Sequence, residues 1–191
     1  MLERTHTGPP DMTSNRLELR LLRREDEVSF KKAIAAFESE MPPFEFAFDF
    51  DAAMPFEAYV KKLEGWPLGK DLPDKFVPNT FLVGVVGGQI VGRVSLRHCL
   101  NDFLASIGGH IGYGVIPAYR RKGYATEMLR QTLPICSSLG IAKVLITCDI
   151  GNPGSRKVIE NCGGVFENLT DAPQLDVQKR RYWIDCPPVG D

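Results

Sequence analysis

The strongest chemical signal in this 191-residue chain is Arg120-Arg121-Lys122-Gly123-Tyr124-Ala125. It follows a β-rich run ending in Val115-Ile116-Pro117 and leads into a segment with Met128, Leu129, Leu133 and Leu139 at helical spacing. A strand delivered through a basic, glycine-containing turn into a helix start is an anion cradle. The first amides of a helix have no intrahelical acceptor, the helix dipole adds about half a positive charge there, and Gly123 lets a bulky ligand approach the backbone. A pyrophosphate suits such a place. Gly-x-Gly-x-x-Gly and a glycine-rich loop ending in Gly-Lys-Ser/Thr are both absent, so hydride transfer and nucleotide hydrolysis lose their main support.

A second block lies downstream, Asn152-Pro153-Gly154-Ser155 followed by Val158-Ile159-Glu160-Asn161-Cys162-Gly163-Gly164-Val165. Asn152 has the character of a helix N-cap with Pro153 at the first helical position. Together the two blocks resemble motifs A and B of the GCN5-related N-acetyltransferase (GNAT) superfamily. Arg120, Gly123 and Ala125 fit Arg/Gln-x-x-Gly-x-Gly/Ala, and Asn152 to Ser155 is similar to the Asn-x-x-Ala/Ser start of motif B, although Gly164 stands where phenylalanine is common. The resemblance runs from about Leu17 to Ile184 and is most specific in the second half.

That resemblance implies acetyl-coenzyme A as co-substrate and no metal. The amides of Arg121, Lys122, Gly123, Tyr124 and Ala125 would hold the pyrophosphate with help from the Thr126 hydroxyl, and Arg120, Asn152 and Ser155 complete the expected cofactor contacts. The fourth strand would splay from the fifth, with Gly114 and Val115 offering an edge to the pantetheine arm and the Gly114 amide facing the thioester oxygen. Oxyanion stabilisation of that kind is worth about 3 kcal/mol.

Acetyl transfer to an amine needs the amine neutral, yet an alkyl ammonium titrates near pH ~10, leaving about one molecule in a thousand reactive at pH 7. His110 is the expected base, because it lies five residues before Val115, where some relatives place a carboxylate, and imidazole titrates near working pH. The tyrosine that protonates the departing thiolate in many relatives would fall at Ile159, which leaves Ser155, Tyr124 or solvent for that role. His98, Asn101 and Asp102 lack metal-ligand spacing and read as a solvated turn.

Positioning these groups requires a scaffold. Leu17, Leu19 and Leu21 alternate with charged residues at strand period, and Arg24-Glu25-Asp26 opens a helical pattern through Phe37. Phe44, Phe46, Phe48 and Phe50 alternate with Glu45, Ala47, Asp49 and Asp51, which reads as an edge strand or loop packing aromatics inward and acids outward. Glu45, Asp49 and Asp51 could face a cationic acceptor. A helix from Phe56 to Leu63, strands Thr80 to Val86 and Gln89 to Leu96 about a Gly87-Gly88 hairpin, and a strand from Ile107 to Val115 complete the first half. Pro134 should kink or break the next helix, which Gly140 caps. The order β-α-α-β-β-β-α-β-α-β-β makes this an α/β protein: a GNAT fold with a mixed, mostly antiparallel sheet, a central strand splay and helices on both faces.

Composition agrees with one catalytic or binding domain. Lys and Arg number 23 against 24 acidic residues, which argues against nucleic acid or an anionic membrane as main partner. No apolar stretch approaches the roughly 20 residues of a membrane span. Residues 1–15 hold Gly8, Pro9 and Pro10 without an apolar run and read as a tail, leaving 16–191 as a single domain. Five cysteines without a Cys-x-x-Cys pair fit reduced thiols and a cytoplasmic location. The expected activity is direct acetyl transfer to a primary amine on a small molecule or peptide in a ternary complex, with a homodimer left open. The competing reading is a non-catalytic acyl-coenzyme A sensor or interaction module on the same fold.

Overall fold

The computed structural model describes residues 16–38, 40–41, 44–172 and 177–188. The expected tail, residues 1–15, lies outside them. The element order is β1 (Glu18–Leu21), α1 (Glu27–Ala35), α2 (Phe56–Gly65), β2 (Asn79–Val86), β3 (Gln89–Arg97), β4 (Ile111–Val115), α3 (Tyr124–Ser138), β5 (Lys143–Asp149), α4 (Pro153–Asn161), β6 (Val165–Ala172) and β7 (Val177–Asp185). This is the α/β order read from the sequence.

The strands form two antiparallel sheets, β1-β2-β3-β4 and β5-β7-β6. The β2–β3 hairpin turns on Gly87 and Gly88, both at positive φ (53° and 73°), the geometry of a two-residue turn that matches strand twist. Alternation along β2 sends Leu82 to one face and Phe81 and Val83 to the other, and the core is accordingly double. On one face α3 and α4 bring Met128, Leu129 and Ile159 against Val94, Ile111, Val144 and Ile146. On the other, α1 and α2 bring Phe30, Tyr59 and Leu63 against Phe81, Val83 and Ile90. Full burial of each such side chain contributes about 2–3 kcal/mol.

Of the two alternatives for the Phe44–Phe50 stretch, edge strand or loop, the structure has the loop. It is an irregular strap in which Phe46 is buried, Phe44, Phe48 and Phe50 are half-buried, and Glu45 and Asp49 are exposed, so the aromatics enter the second core without the extended backbone their alternation suggested. Asp49 pairs with Lys62 and Asp51 accepts from the amide of Ala53 (2.8 Å). Helix α3 is not broken at Pro134, one of the two expected outcomes, and continues to Ser138. Pro134 lies on the exposed face, where water can satisfy the carbonyl one turn back that loses its partner. Gly140, at φ 77°, ends the chain's helical course as expected.

Between the two sheets the ladder is interrupted. At one end β4 and β5 touch: the His110 amide donates to the Leu145 carbonyl (2.7 Å), and the Leu145 amide donates to His110 Nδ1 (2.9 Å). Beyond that clamp no pairing joins the strands, and Gly112, Tyr113, Gly114 and Val115 are all half-exposed.

Candidate functional site

The site is built where β4 leaves β5. Backbone bonds from Arg97 N to His110 O (2.8 Å) and from Ile116 N to Val91 O (2.9 Å) bracket the β3–β4 ladder. In an antiparallel ladder hydrogen-bonded pairs alternate with non-bonded ones, so the bonded pairs between those brackets are Ser95/Gly112 and Arg93/Gly114. The amides of Gly112 and Gly114 therefore point at β3. Those of Ile111, Tyr113 and Val115 point into the gap toward β5. The register thus turns the Gly114 amide, which the resemblance would set against a thioester oxygen, away from the gap, and presents Tyr113 instead.

The chain leaves β4 through a tight turn at Pro117–Tyr119, passes Arg121 at φ 65° and Gly123 at φ 82°, and enters α3. Among the described residues none of the amides of Arg121, Lys122, Gly123, Tyr124 and Ala125 donates to a backbone carbonyl outside the helix. A Cβ on Gly123 would meet nothing within 4 Å. Five amides and an open volume above a helix N-terminus make an anion seat. The Arg120 side chain turns elsewhere: its Nε donates to the free Val115 carbonyl (3.1 Å) and its Nη2 pairs with Glu40 (2.7 Å). Lys122 Nζ lies 5.5 Å from the Tyr119 ring centre. The Thr126 side chain has no hydrogen bond among the described residues, while its carbonyl receives the Cys162 thiol (3.6 Å).

Across the gap, Asn152 Oδ1 accepts the Ser155 amide (2.9 Å), the N-cap geometry read from the sequence. Ser155 Oγ lies 2.8 Å from the Tyr113 hydroxyl, which also donates to the Ser155 carbonyl (3.3 Å). Burial pushes the Tyr113 phenol above its ordinary range, so it stays protonated. Ile159 is fully buried in the core. Its packing also accounts for Gly164, where a Cβ would stand 2.4 Å from Ile159 Cγ2, leaving no room for the aromatic common in the family motif.

His110 does not have the geometry of a base. It is buried, its Nδ1 lone pair is engaged by the Leu145 amide, and in the neutral ring Nε2 then carries the proton. Burial, with the Arg97 charge beside it, lowers its pKa. No lone pair is left to take a proton from an ammonium. The imidazole instead stands in for a carbonyl and pins the point at which β4 and β5 separate.

Sequence reading missed Tyr113, Arg93 and Arg97. Tyr113 sits between Gly112 and Gly114, its side chain on the face opposite theirs; Arg93 and Arg97 are the two charges of a mostly buried strand, a pattern that asks for an explanation. His98 Nε2 bonds Thr80 (2.8 Å) and Asn101 caps the turn before Leu104 (2.9 Å).

Comparison with known proteins gives the geometry a context. The family model for an acetyltransferase (GNAT) domain matches residues 16–165. Among solved structures, the ribosomal-protein-S5-alanine acetyltransferase of Vibrio fischeri superposes with a TM-score of 0.67 at 16% identity, covering 92% of this chain and 96% of that one. RimJ of Mycobacterium smegmatis, in complex with CoA-disulfide, gives 0.65 at 19% identity over 88% and 81%. YncA of Salmonella typhimurium, described as a putative acetyltransferase with its cofactor acetyl-CoA, gives 0.58 at 13% over 90% and 94%. No curated protein matches the chain.

Proposed function

The chain belongs to the GNAT acetyltransferase family, and from that premise we propose that it moves acetyl from acetyl-coenzyme A to a primary amine by direct attack in a ternary complex. The carrying observation is the row of unpaired amides from Arg121 to Ala125 beneath the open space at Gly123, next to a strand whose edge is free. These residues fit a pyrophosphate followed by an extended arm. Acetyl-coenzyme A supplies the activated thioester. No helix among the described residues is long and apolar enough to cross a membrane.

The roles follow the geometry. The amides of residues 121–125 hold the diphosphate, and α3 adds its dipole. Val115 and Tyr113 direct their amides into the gap, so the oxyanion donor is assigned to Tyr113 rather than to Gly114, a contribution of about 3 kcal/mol. For the arm to pair with the Val115 carbonyl, Arg120 Nε must leave it. Ser155 Oγ, with the Tyr113 hydroxyl behind it, delivers a proton to the departing thiolate. Asn152 orients Ser155 as the helix cap. The attacking amine loses its proton to water in the open gap, and His110 acts as a positioning residue.

Calorimetry with acetyl-coenzyme A, followed by thiol release on an amine panel, tests this reading. Binding with turnover on at least one primary amine is expected. Binding without turnover on any amine between pH 6 and 9 would favour the non-catalytic acyl-coenzyme A binder, and no binding at all would remove both.

A further inference from the structure

On the face of β3 opposite α3, Arg93 and Arg97 flank Ser95, and both guanidinium groups converge on Gly112 of β4. Arg93 Nη1 lies 3.5 Å from the Gly112 carbonyl, and a Cβ at Gly112 would be 3.2 Å from Arg97 Nη1 and 3.3 Å from Nη2. Neither arginine makes a salt bridge among the described residues. Arg93 is 4% exposed, with its guanidinium 4.7 and 4.4 Å from the ring centres of Phe44 and Phe48, its Nη2 on the Glu45 carbonyl (2.8 Å), and its Nε buried without an acceptor among the described residues. Arg97 spends Nη1 on the carbonyls of Gly108 and Gly109 (3.3 Å each), and its Nη2 has no acceptor among the described residues.

Two guanidinium charges taken out of water side by side repel each other and forfeit hydration, and backbone carbonyls return only part of that cost. Burial, and for Arg93 the neighbouring Arg97, depress them to about 9 and about 10 respectively. A carboxylate would answer both deficits, since it matches the planar guanidinium fork in geometry and charge. The place is also the right one. Gly112 is half-exposed and adjoins Tyr113, whose amide faces the gap, so a group over Gly112 lies about one strand spacing, roughly 5 Å, from that gap.

We infer that the amine acceptor carries a carboxylate, seated on Arg97 above Gly112 with Arg93 behind it, while its amine enters the gap beside Tyr113. This rests on the acetyl-transfer reading above. The separation suits an amino acid, either free or as an acidic residue near a peptide N-terminus.

The test compares matched pairs in the thiol-release assay: glycine with glycinamide, and the peptides Ala-Glu-amide and Ala-Gln-amide. The acid of one pair is expected to have a kcat/KM at least tenfold above its amide: glycine, if the seat takes the carboxylate of a free amino acid, or Ala-Glu-amide, if it takes an acidic residue near a peptide N-terminus. Arg97→Gln should raise KM for the acids tenfold or more while leaving KM for the amides and for acetyl-coenzyme A unchanged, and Arg97→Lys should keep part of the preference. Amides that serve as well as acids, or an Arg97→Gln variant that slows both alike, would overturn the assignment. Calorimetric titration with glutarate separates this from the transfer reading. Glutarate binding to the wild type and not to Arg97→Gln supports the seat even where no amine turns over, and the absence of glutarate binding together with the absence of acid preference overturns it.

Discussion

The hydroxyl of Tyr113 on β4 and Oγ of Ser155 in the first turn of α4 lie 2.8 Å apart, bridging the gap between two sheets that share no ladder there. The family pattern would put a tyrosine on α4, where this chain has the buried Ile159. Here a phenol from β4 meets the start of α4 instead.

If this pair delivers the thiolate proton, Tyr113→Phe and Ser155→Ala should each lower kcat about tenfold, less than the roughly hundredfold or more usual for a general acid because a thiolate is a fair leaving group. KM for acetyl-coenzyme A should barely move. The double variant should be no slower than the worse single one, since the two hydroxyls act as a unit. Additive losses would assign them separate roles.

Gly123 is a position where a side chain should weaken cofactor binding. At φ 82° an alanine is strained by about 1–2 kcal/mol, and its methyl would enter the open volume over the cradle amides. Gly123→Ala is therefore expected to weaken acetyl-coenzyme A binding at least tenfold by calorimetry. Affinity equal to wild type would show that the diphosphate sits elsewhere.

His110 makes stability depend on pH. Its folded pKa lies below the ordinary value through burial and the Arg97 charge. An unfolded chain takes up the proton near pH ~6.5, the folded chain only at lower pH, and in that window the unfolded state binds more protons. Stability is thus full above pH ~6.5 and declines as pH falls through the window. His110→Asn, whose Oδ1 can accept the Leu145 amide, should lose that part of the decline in a Tm-against-pH series while keeping kcat/KM within a few-fold of wild type. A kcat/KM lowered about a hundredfold or more would restore His110 as the base.

Pro134 occupies an exposed interior position of α3. Replacing it with alanine returns one backbone hydrogen bond and removes a ring clash, worth up to about 3 kcal/mol. Pro134→Ala should raise Tm by several degrees, since each kcal/mol shifts a domain of this size by about 2–4 °C. An unchanged or lower Tm would mean that the ring contributes packing that the helix geometry does not reveal.

The cradle, the Asn152 cap, the Gly87-Gly88 turn and the element order were all legible in the chain itself, because each depends on residues within a few positions of one another. A helix start exposes its own amides whatever surrounds it, and two glycines between alternating runs turn the chain locally. What needed the folded molecule was everything that turns on partners far along the sequence. Whether Gly114 or Tyr113 aims its amide at the gap depends on the β3–β4 register, a shift of one residue reversing the answer. Whether His110 has a lone pair to offer depends on Leu145, 35 residues away. The meeting of Arg93 and Arg97 over Gly112 likewise arises only when β3 and β4 lie side by side, since alternation shows that the two arginines share a face but not what that face encloses. Local backbone chemistry determined the row of free amides at the start of α3; strand pairing decided which amides and side chains face the gap.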